Sequence, residues 1–310
     1  MHLGIHFLII VACIFGLWGG AVLVVESASK IAKRMGLSEL VIGLTVVAIA
    51  TSAPEFAVTV VAAMNGENAI SVGNIVGSNI FNLGIILGLV VLFTTIKTDK
   101  KIVYRDGSLL LGAGLLLFLF FFDGTLELYE GIILLCVLSG YMIKLFMSRE
   151  PLEEDLPEGK FKWYDPFILI GGVLTIVGSA KFFVESASDV ARHYGLSDWF
   201  IGLTIVAAGT SAPELATSLV AVIKGKHGIS AGNLIGSDLF NMLGVLGVAS
   251  IFHPLQIQEM EFWGLSLLPL TLMITIILLR TGWKLTRLEG IVLIAIALFR
   301  WSFEFILKSA

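Results

Sequence analysis

Two glutamates of the chain stand inside long apolar stretches. Glu55 closes Ala50-Thr51-Ser52-Ala53-Pro54-Glu55, and Glu214 closes Gly209-Thr210-Ser211-Ala212-Pro213-Glu214. No Lys or Arg lies in either stretch. An ionisable side chain near the centre of a bilayer is costly unless it is paired or functional. The proline just before each glutamate lacks an N–H and clashes with the carbonyl four residues earlier, so the oxygens of Ala50 and Gly209 are expected to lose their helical partners. A broken helix is tolerated at membrane depth where the freed backbone faces protein, water or ions. Loose carbonyl oxygens beside a carboxylate suit a hard cation. Two ionised glutamates carry the charge that one calcium ion neutralises, and calcium takes about six to eight oxygen ligands.

A second pair of motifs supplies neutral oxygens: Gly73-Asn74-Ile75-Val76-Gly77-Ser78-Asn79-Ile80-Phe81-Asn82 and Gly232-Asn233-Leu234-Ile235-Gly236-Ser237-Asp238-Leu239-Phe240-Asn241. Ser78 and Asn82 are four apart, as are Ser237 and Asn241, so each pair is expected on one helix face. The glycines are read chiefly as close-packing positions. Asp238 is a third acid where the first motif has Asn79, and it reads either as a group that titrates during activity or as a hydrogen-bonded structural acid. Ser52 to Glu55 also reads as a capping box, with serine as N-cap and glutamate at N3. That accounts for the local pattern but leaves two carboxylates stranded in apolar surroundings.

The elements that must hold these residues are membrane helices. Of the 310 residues 57% are hydrophobic and 14% charged, a composition outside the soluble range. A bilayer core needs about 20 apolar residues per helix, and segments near 3–25, 40–64, 69–94, 107–122, 130–147, 166–184, 199–223, 228–252, 263–279 and 290–306 qualify. The first lacks a basic start and a cleavage site, so it is read as a helix and not as a secretory signal. Cys13 and Cys136 carry no disulfide or metal spacing. Ten spans place all but Lys181, Arg192, Arg300 and Lys308 of the 20 Lys and Arg on one side. By the positive-inside rule that side is cytoplasmic, and both termini of this multi-pass cell-membrane protein are expected outside.

Self-comparison finds a repeat at an offset of about 159 residues. Val25-Glu26-Ser27-Ala28-Ser29 recurs from Val184, Gly43-Leu44-Thr45 from Gly202, and Glu130-Gly131-Ile132 from Glu289, in register with the glutamate motifs. Five spans per half is an odd number, so the second half must enter the membrane in the opposite sense. The fold class expected is an all-α integral membrane protein of ten transmembrane helices, as two inverted five-helix repeats. Residues 1–148 form the first repeat, 149–164 a cytoplasmic linker and 165–310 the second repeat. Inverted repeats of this kind are the architecture of secondary transporters, with the cargo held near the midplane.

At these residues the chain closely resembles the cation/calcium exchanger superfamily, in particular its sodium/calcium exchanger branch. That branch has two such repeats, each with a Gly-Thr-Ser-x-Pro-Glu and a Gly-Ser-Asn-like motif. The resemblance implies that the second, third, seventh and eighth helices surround the ions while the first and sixth slide. It implies that Glu55, Glu214 and the carbonyls of Thr51 and Thr210 bind calcium. Sodium would use the same glutamates with Ser52, Ser78, Asn82, Ser211, Ser237 and Asn241 and the backbone oxygens of Ala48 and Ala207. The chain departs from the branch at Ala50, where glycine is usual, and at Asn241, where many members have aspartate; Asp238 would partly compensate. The activity implied is Ca²⁺ for Na⁺ antiport, with H⁺/Ca²⁺ exchange as the alternative and a cation channel as a rival of another class. No enzyme activity, cofactor, nucleic acid or required protein partner is expected; the partners are Ca²⁺, the counter-ion Na⁺ or H⁺, and the lipid bilayer.

Overall fold

The computed structural model describes residues 3–147, 161–195, 205 and 207–309. Most of the expected linker, 149–164, and the Gly202-Leu203-Thr204 motif therefore lie outside the described residues. The chain is helical apart from two pairs of two-residue strands. In chain order the helices are α1 (Leu3–Met35), α2 (Glu39–Thr51), α3 (Ala53–Met64), α4 (Asn68–Phe93), α5 (Lys101–Asp123) and α6 (Leu128–Met147). They continue as α7 (Asp165–His193), α8 (Ala207–Thr210), α9 (Ala212–Ile223), α10 (His227–Phe252), α11 (Glu259–Arg280) and α12 (Arg287–Ser309).

Seven helices among the described residues are long and apolar enough to cross a bilayer, and α2 with α3, bent by 50°, makes an eighth. Ten were expected. The remaining two expected segments correspond to α9, an apolar helix of 12 residues whose upstream stretch lies largely outside the described residues, and to the 23-residue α12. The chain is an all-helical, multi-pass membrane protein. The first span is longer than its apolar stretch: α1 runs on through Lys33 and Arg34, where cations meet the negative end of the helix dipole. It stops at Gly36, whose φ of +69° is the left-handed conformation that ends helices cheaply in glycine. Gly195, 159 residues on, follows α7 with a φ of +81°.

The chain divides into two compact units, residues 1–54 with 145–233 and residues 55–144 with 234–310, so each unit draws on both halves of the sequence. In the first unit α1 lies along α7. A Cβ on Gly20 would stand 2.9 Å from the Gly172 carbonyl oxygen, and one on Gly172 would stand 3.0 Å from that of Gly20. Small residues at such crossings let backbones approach where lipid supplies no hydrophobic drive. Lys30 faces Asp165 at 3.6 Å, Lys224 bonds Glu26 at 2.6 Å and Lys226 bonds Glu39 at 2.9 Å, which joins segments expected on one side of the membrane. Glu185 is half exposed beside Lys181 at 4.0 Å.

The second unit holds the strands. β1 (Ile96–Lys97) pairs antiparallel with β4 (Lys284–Leu285), and β2 (Thr125–Leu126) with β3 (Leu255–Gln256). The two pairings exchange under the 159-residue offset, since 96 maps to 255 and 126 to 285. So do two glycine crossings. A Cβ on Gly88 would stand 2.8 Å from Gly290 O, and one on Gly131 2.9 Å from Gly247 O. Arg300 of α12 donates to Thr271 Oγ1 and to the Gly264 carbonyl of α11.

Candidate ion-binding site

In the first unit the helix break falls where the proline predicts it. α2 ends at Thr51, Ser52 takes φ −78° and ψ 11°, and α3 begins at Ala53. The corresponding break at Ser211 (φ −88°, ψ 8°) separates α8 from α9. The alternative reading as a capping box fails at the second motif. Ser211 makes no side-chain cap hydrogen bond, and Ser52 Oγ donates to Glu214 Oε1 at 2.9 Å. That bond joins two residues 162 apart in sequence, both fully buried. Thr51 Oγ1 donates to the Ala48 carbonyl at 3.2 Å and to Asn233 Oδ1 at 3.0 Å. The Ala48 carbonyl also accepts from Ser52 N at 3.0 Å. Thr210 and Ala207 stand at the two ends of the four-residue α8, just before the buried Ser211. Ala48, Thr51, Ser52, Ala207, Thr210, Ser211 and Glu214 thus belong to one unit.

The second unit contains Glu55, Ser78, Asn82, Ser237, Asp238 and Asn241. Ser78 Oγ approaches Glu55 Oε1 at 3.5 Å. Both are buried, Glu55 completely. α4 and α10 are not α-helical throughout. They widen to π turns at Phe81–Ile86 and Phe240–Val245, again 159 residues apart, and these contain Asn82 and Asn241. Single π turns inside helices gather at functional positions. Each asparagine is the second residue of its π turn, four residues after Ser78 or Ser237.

Each asparagine meets the other helix. Asn82 Nδ2 donates to Asp238 Oδ1 at 2.9 Å, and Asn241 Nδ2 donates to Asn79 Oδ1 at 3.2 Å. The bonds exchange under the repeat offset. Because each amide spends its N–H₂ on this contact, its oxygen points elsewhere: among the described residues neither Asn82 Oδ1 nor Asn241 Oδ1 has a hydrogen-bond partner, though both side chains are fully buried. Buried acceptors in that condition are costly unless a ligand meets them.

Asp238 accepts in the place that the amide oxygen of Asn79 fills in the twin bond, so an acceptor oxygen stands at both positions. Asp238→Asn is therefore expected to leave the thermal midpoint within a few degrees of the parent, since an amide oxygen accepts the same bond. A large drop would show that the charge itself holds the helices.

Two positioning residues were passed over in the sequence reading. Asn74 Nδ2 donates to the Glu55 carbonyl at 3.3 Å and to Thr59 Oγ1 at 2.9 Å. Asn233 Nδ2 repeats this on the Glu214 carbonyl at 3.4 Å and Ser218 Oγ at 3.0 Å. Each amide ties the backbone of a glutamate to the next helix. The signal was present in the equal spacing of Asn74 and Asn233 from the glutamates, but close-packing glycines around both made a packing role the simpler reading.

A family model described as sodium/calcium exchanger protein matches residues 5–147 and 164–301, nearly the whole chain in two stretches. The chain belongs to that family. This sodium/calcium exchanger family member is 34% identical to the sodium/calcium exchanger MaX1 of Methanosarcina acetivorans over 93% of its length and 95% of that protein. It is 31% identical to the inner membrane protein YrbG of Escherichia coli over 77% of each chain. Among solved structures it matches the sodium-calcium exchanger NCX_Mj with a TM-score of 0.84 and 29% identity, over 95% of this chain and 97% of that one. Membership makes the chain a membrane transporter.

Proposed function

We propose that this transporter exchanges Ca²⁺ for Na⁺ across the membrane by alternating access, with Glu55 and Glu214 as the carboxylates that serve either cargo. The observation that carries the reading is the burial of a glutamate in each repeat among neutral oxygens. Ser52 lies on Glu214 and Ser78 on Glu55, and the Asn82 and Asn241 amide oxygens are turned away from their own hydrogen-bond partners. The carbonyls of Thr51 and Thr210 complete the calcium set. Ser211, Ser237 and the Ala48 and Ala207 carbonyls add to the sodium set, and Asp238 holds Asn82 in place.

The architecture proposed is ten spans in two inverted repeats, 1–148 and 165–310 joined by the cytoplasmic linker 149–164, with both termini outside. Two observations support it. The strand pairings join loops that a ten-span chain places on the same side, 96–97 with 284–285 and 125–126 with 255–256, and the pairings exchange under the repeat. The ion pairs Lys30–Asp165 and Lys224–Glu26 likewise join ends assigned to one side.

Exchange follows from charge and burial. Carboxylates held in low dielectric without a cation carry a desolvation penalty, so an empty charged site opposes transit. Bound Ca²⁺, or Na⁺ in its place, removes the penalty. Since both cargoes require the same two carboxylates, they compete, and competition with forbidden empty transit yields counter-transport. A second reading, H⁺ as the driving ion, is favoured by the replacement of a family aspartate by Asn241 and the presence of Asp238. Purified protein in liposomes decides between them. Calcium uptake is expected when an outward sodium gradient is imposed at equal pH, and little uptake is expected under a pH gradient in sodium-free buffer. The reverse pattern would establish the proton reading, and calcium passage with no counter-ion gradient would indicate a channel.

A further inference from the structure

A cavity lies at the ends of two spans, between α5 and α11, in the second unit. It measures about 480 Å³ and is lined by Val103, Tyr104, Ser108, Ile276, Ile277 and Arg280, with Thr281 and Gly282 at its rim. Its walls are of two kinds. Val103, Ile276 and Ile277 are apolar, and Ile277 is 56% exposed on what must be a lipid-facing surface. The Arg280 guanidinium and the hydroxyls of Ser108 and Thr281 form the polar end.

Arg280 is held for a purpose other than neutralising an acid. Its Nε donates to Tyr104 Oη at 2.8 Å, and its guanidinium carbon lies 4.1 Å from the centre of the Trp283 ring. That stacking is made possible by two successive left-handed residues, Gly282 (φ 62°) and Trp283 (φ 53°), and such a backbone is strained at a tryptophan. No carboxylate pairs with Arg280 among the described residues. The acids nearby in sequence are otherwise engaged. Asp99 accepts from the backbone N–H groups of Lys101 and Ile102, Asp106 from Arg105 and Tyr141, and Glu289 from Thr286.

More positive charge stands beside the cavity. Lys97 and Lys284 are directly opposite in the β1–β4 pairing, both exposed and on one face, an arrangement of like charges that destabilises a ladder. Thr98, next to Lys97, is tied to the Leu279 carbonyl at 2.6 Å and to that of Trp283 at 3.1 Å, which fixes the lysine pair at the end of α11. A stacked arginine, two opposed lysines, the Ser108 hydroxyl and an apolar wall describe the recognition of a phosphate that carries acyl chains. Basic pockets between helices at the membrane interface bind lipid head groups of this class.

We propose that the α5–α11 cavity is a binding site for an anionic phospholipid, with Arg280 on the phosphate, Lys97 and Lys284 supplying the surrounding charge, and Ile276 and Ile277 against the upper acyl chain. The test reads binding directly, without ion gradients, so its failure would leave the exchange reading untouched. Phosphatidylglycerol and phosphatidylcholine, each brominated near the top of the acyl chain, are titrated into detergent-solubilised protein while tryptophan fluorescence is followed. Saturable quenching by phosphatidylglycerol at about tenfold lower lipid concentration than by phosphatidylcholine is expected, and this preference should be lost in Trp283→Phe, where only the other five tryptophans report. Arg280→Gln is expected to raise the half-quenching concentration about tenfold. Lys97→Ser with Lys284→Ser, which leaves the stacked arginine intact, should raise it severalfold should Arg280→Gln fail to fold. Excess inorganic phosphate should not displace the lipid, because it lacks the chains; displacement would make the occupant a free anion and overturn the lipid assignment. Equal quenching by the two lipids, a phosphatidylglycerol preference that persists in Trp283→Phe, or unchanged titrations in folded variants would overturn the site.

Discussion

Glu55→Gln and Glu214→Gln are each expected to lower calcium flux into liposomes at least about 100-fold while the protein still purifies as a monodisperse, thermally cooperative species. The two halves of that expectation rest on different physics. Glutamine has nearly the shape of glutamate and offers an oxygen, so the bond from Ser52 Oγ to residue 214 and that from Ser78 Oγ to residue 55 both survive. Removing a buried charge also removes its desolvation cost, and folding is spared. A divalent cargo feels the loss fully. Two unit charges 4 Å apart attract by about 4 kcal/mol at an effective dielectric near 20, and the term doubles for Ca²⁺ before desolvation offsets part of it. A remainder of about 3 kcal/mol corresponds to roughly a hundredfold. Wild-type flux in either folded variant would remove these carboxylates from the transport chemistry.

The glutamates were legible because burial of an acid in an apolar span has few explanations, and the proline beside each announced the break that the 50° bend between α2 and α3 displays. The repeat was legible for a similar reason: an ungapped offset joins distant motifs without any knowledge of packing. What lay beyond reading was contact between segments far apart in the chain. Nothing local to Asp238 marks Asn82 as its donor, 156 residues away, and the π turns that contain Asn82 and Asn241 leave no period in the sequence that differs from a regular helix. The same holds for Ser52, whose motif reads as a cap until Glu214 is seen beside it. The two-residue strands were invisible because Ile96–Lys97 and Thr125–Leu126 are too short to show alternation, and their partners lie in the other half of the chain.

Asn233→Leu is expected to be more damaging to the folded protein than either glutamate exchange, and more damaging than Asn74→Leu. The side chain of Asn233 is fully buried and makes three described bonds, accepting from Thr51 Oγ1 and donating to the Glu214 carbonyl and to Ser218 Oγ. Leucine is of similar volume, so no cavity opens, but each of those polar groups loses this partner in a place water does not reach. Such losses cost about 1–3 kcal/mol apiece. Asn74 makes two described bonds, to the Glu55 carbonyl and Thr59 Oγ1, and is only partly buried, so the cost there is smaller. The consequence for transport is separable from the consequence for folding. Asn233 connects Thr51 to the backbone of Glu214, and without it both proposed ligands lose a common reference, whereas Ser218→Ala removes one bond and leaves that connection in place. Thermal melts should rank Asn233→Leu below Asn74→Leu and Ser218→Ala. At a temperature where all three stay folded, calcium should half-saturate flux at a concentration at least about tenfold higher in Asn233→Leu and nearly unchanged in Ser218→Ala. Equal half-saturation in the two variants would reduce Asn233 to a packing residue with no part in holding the ligands.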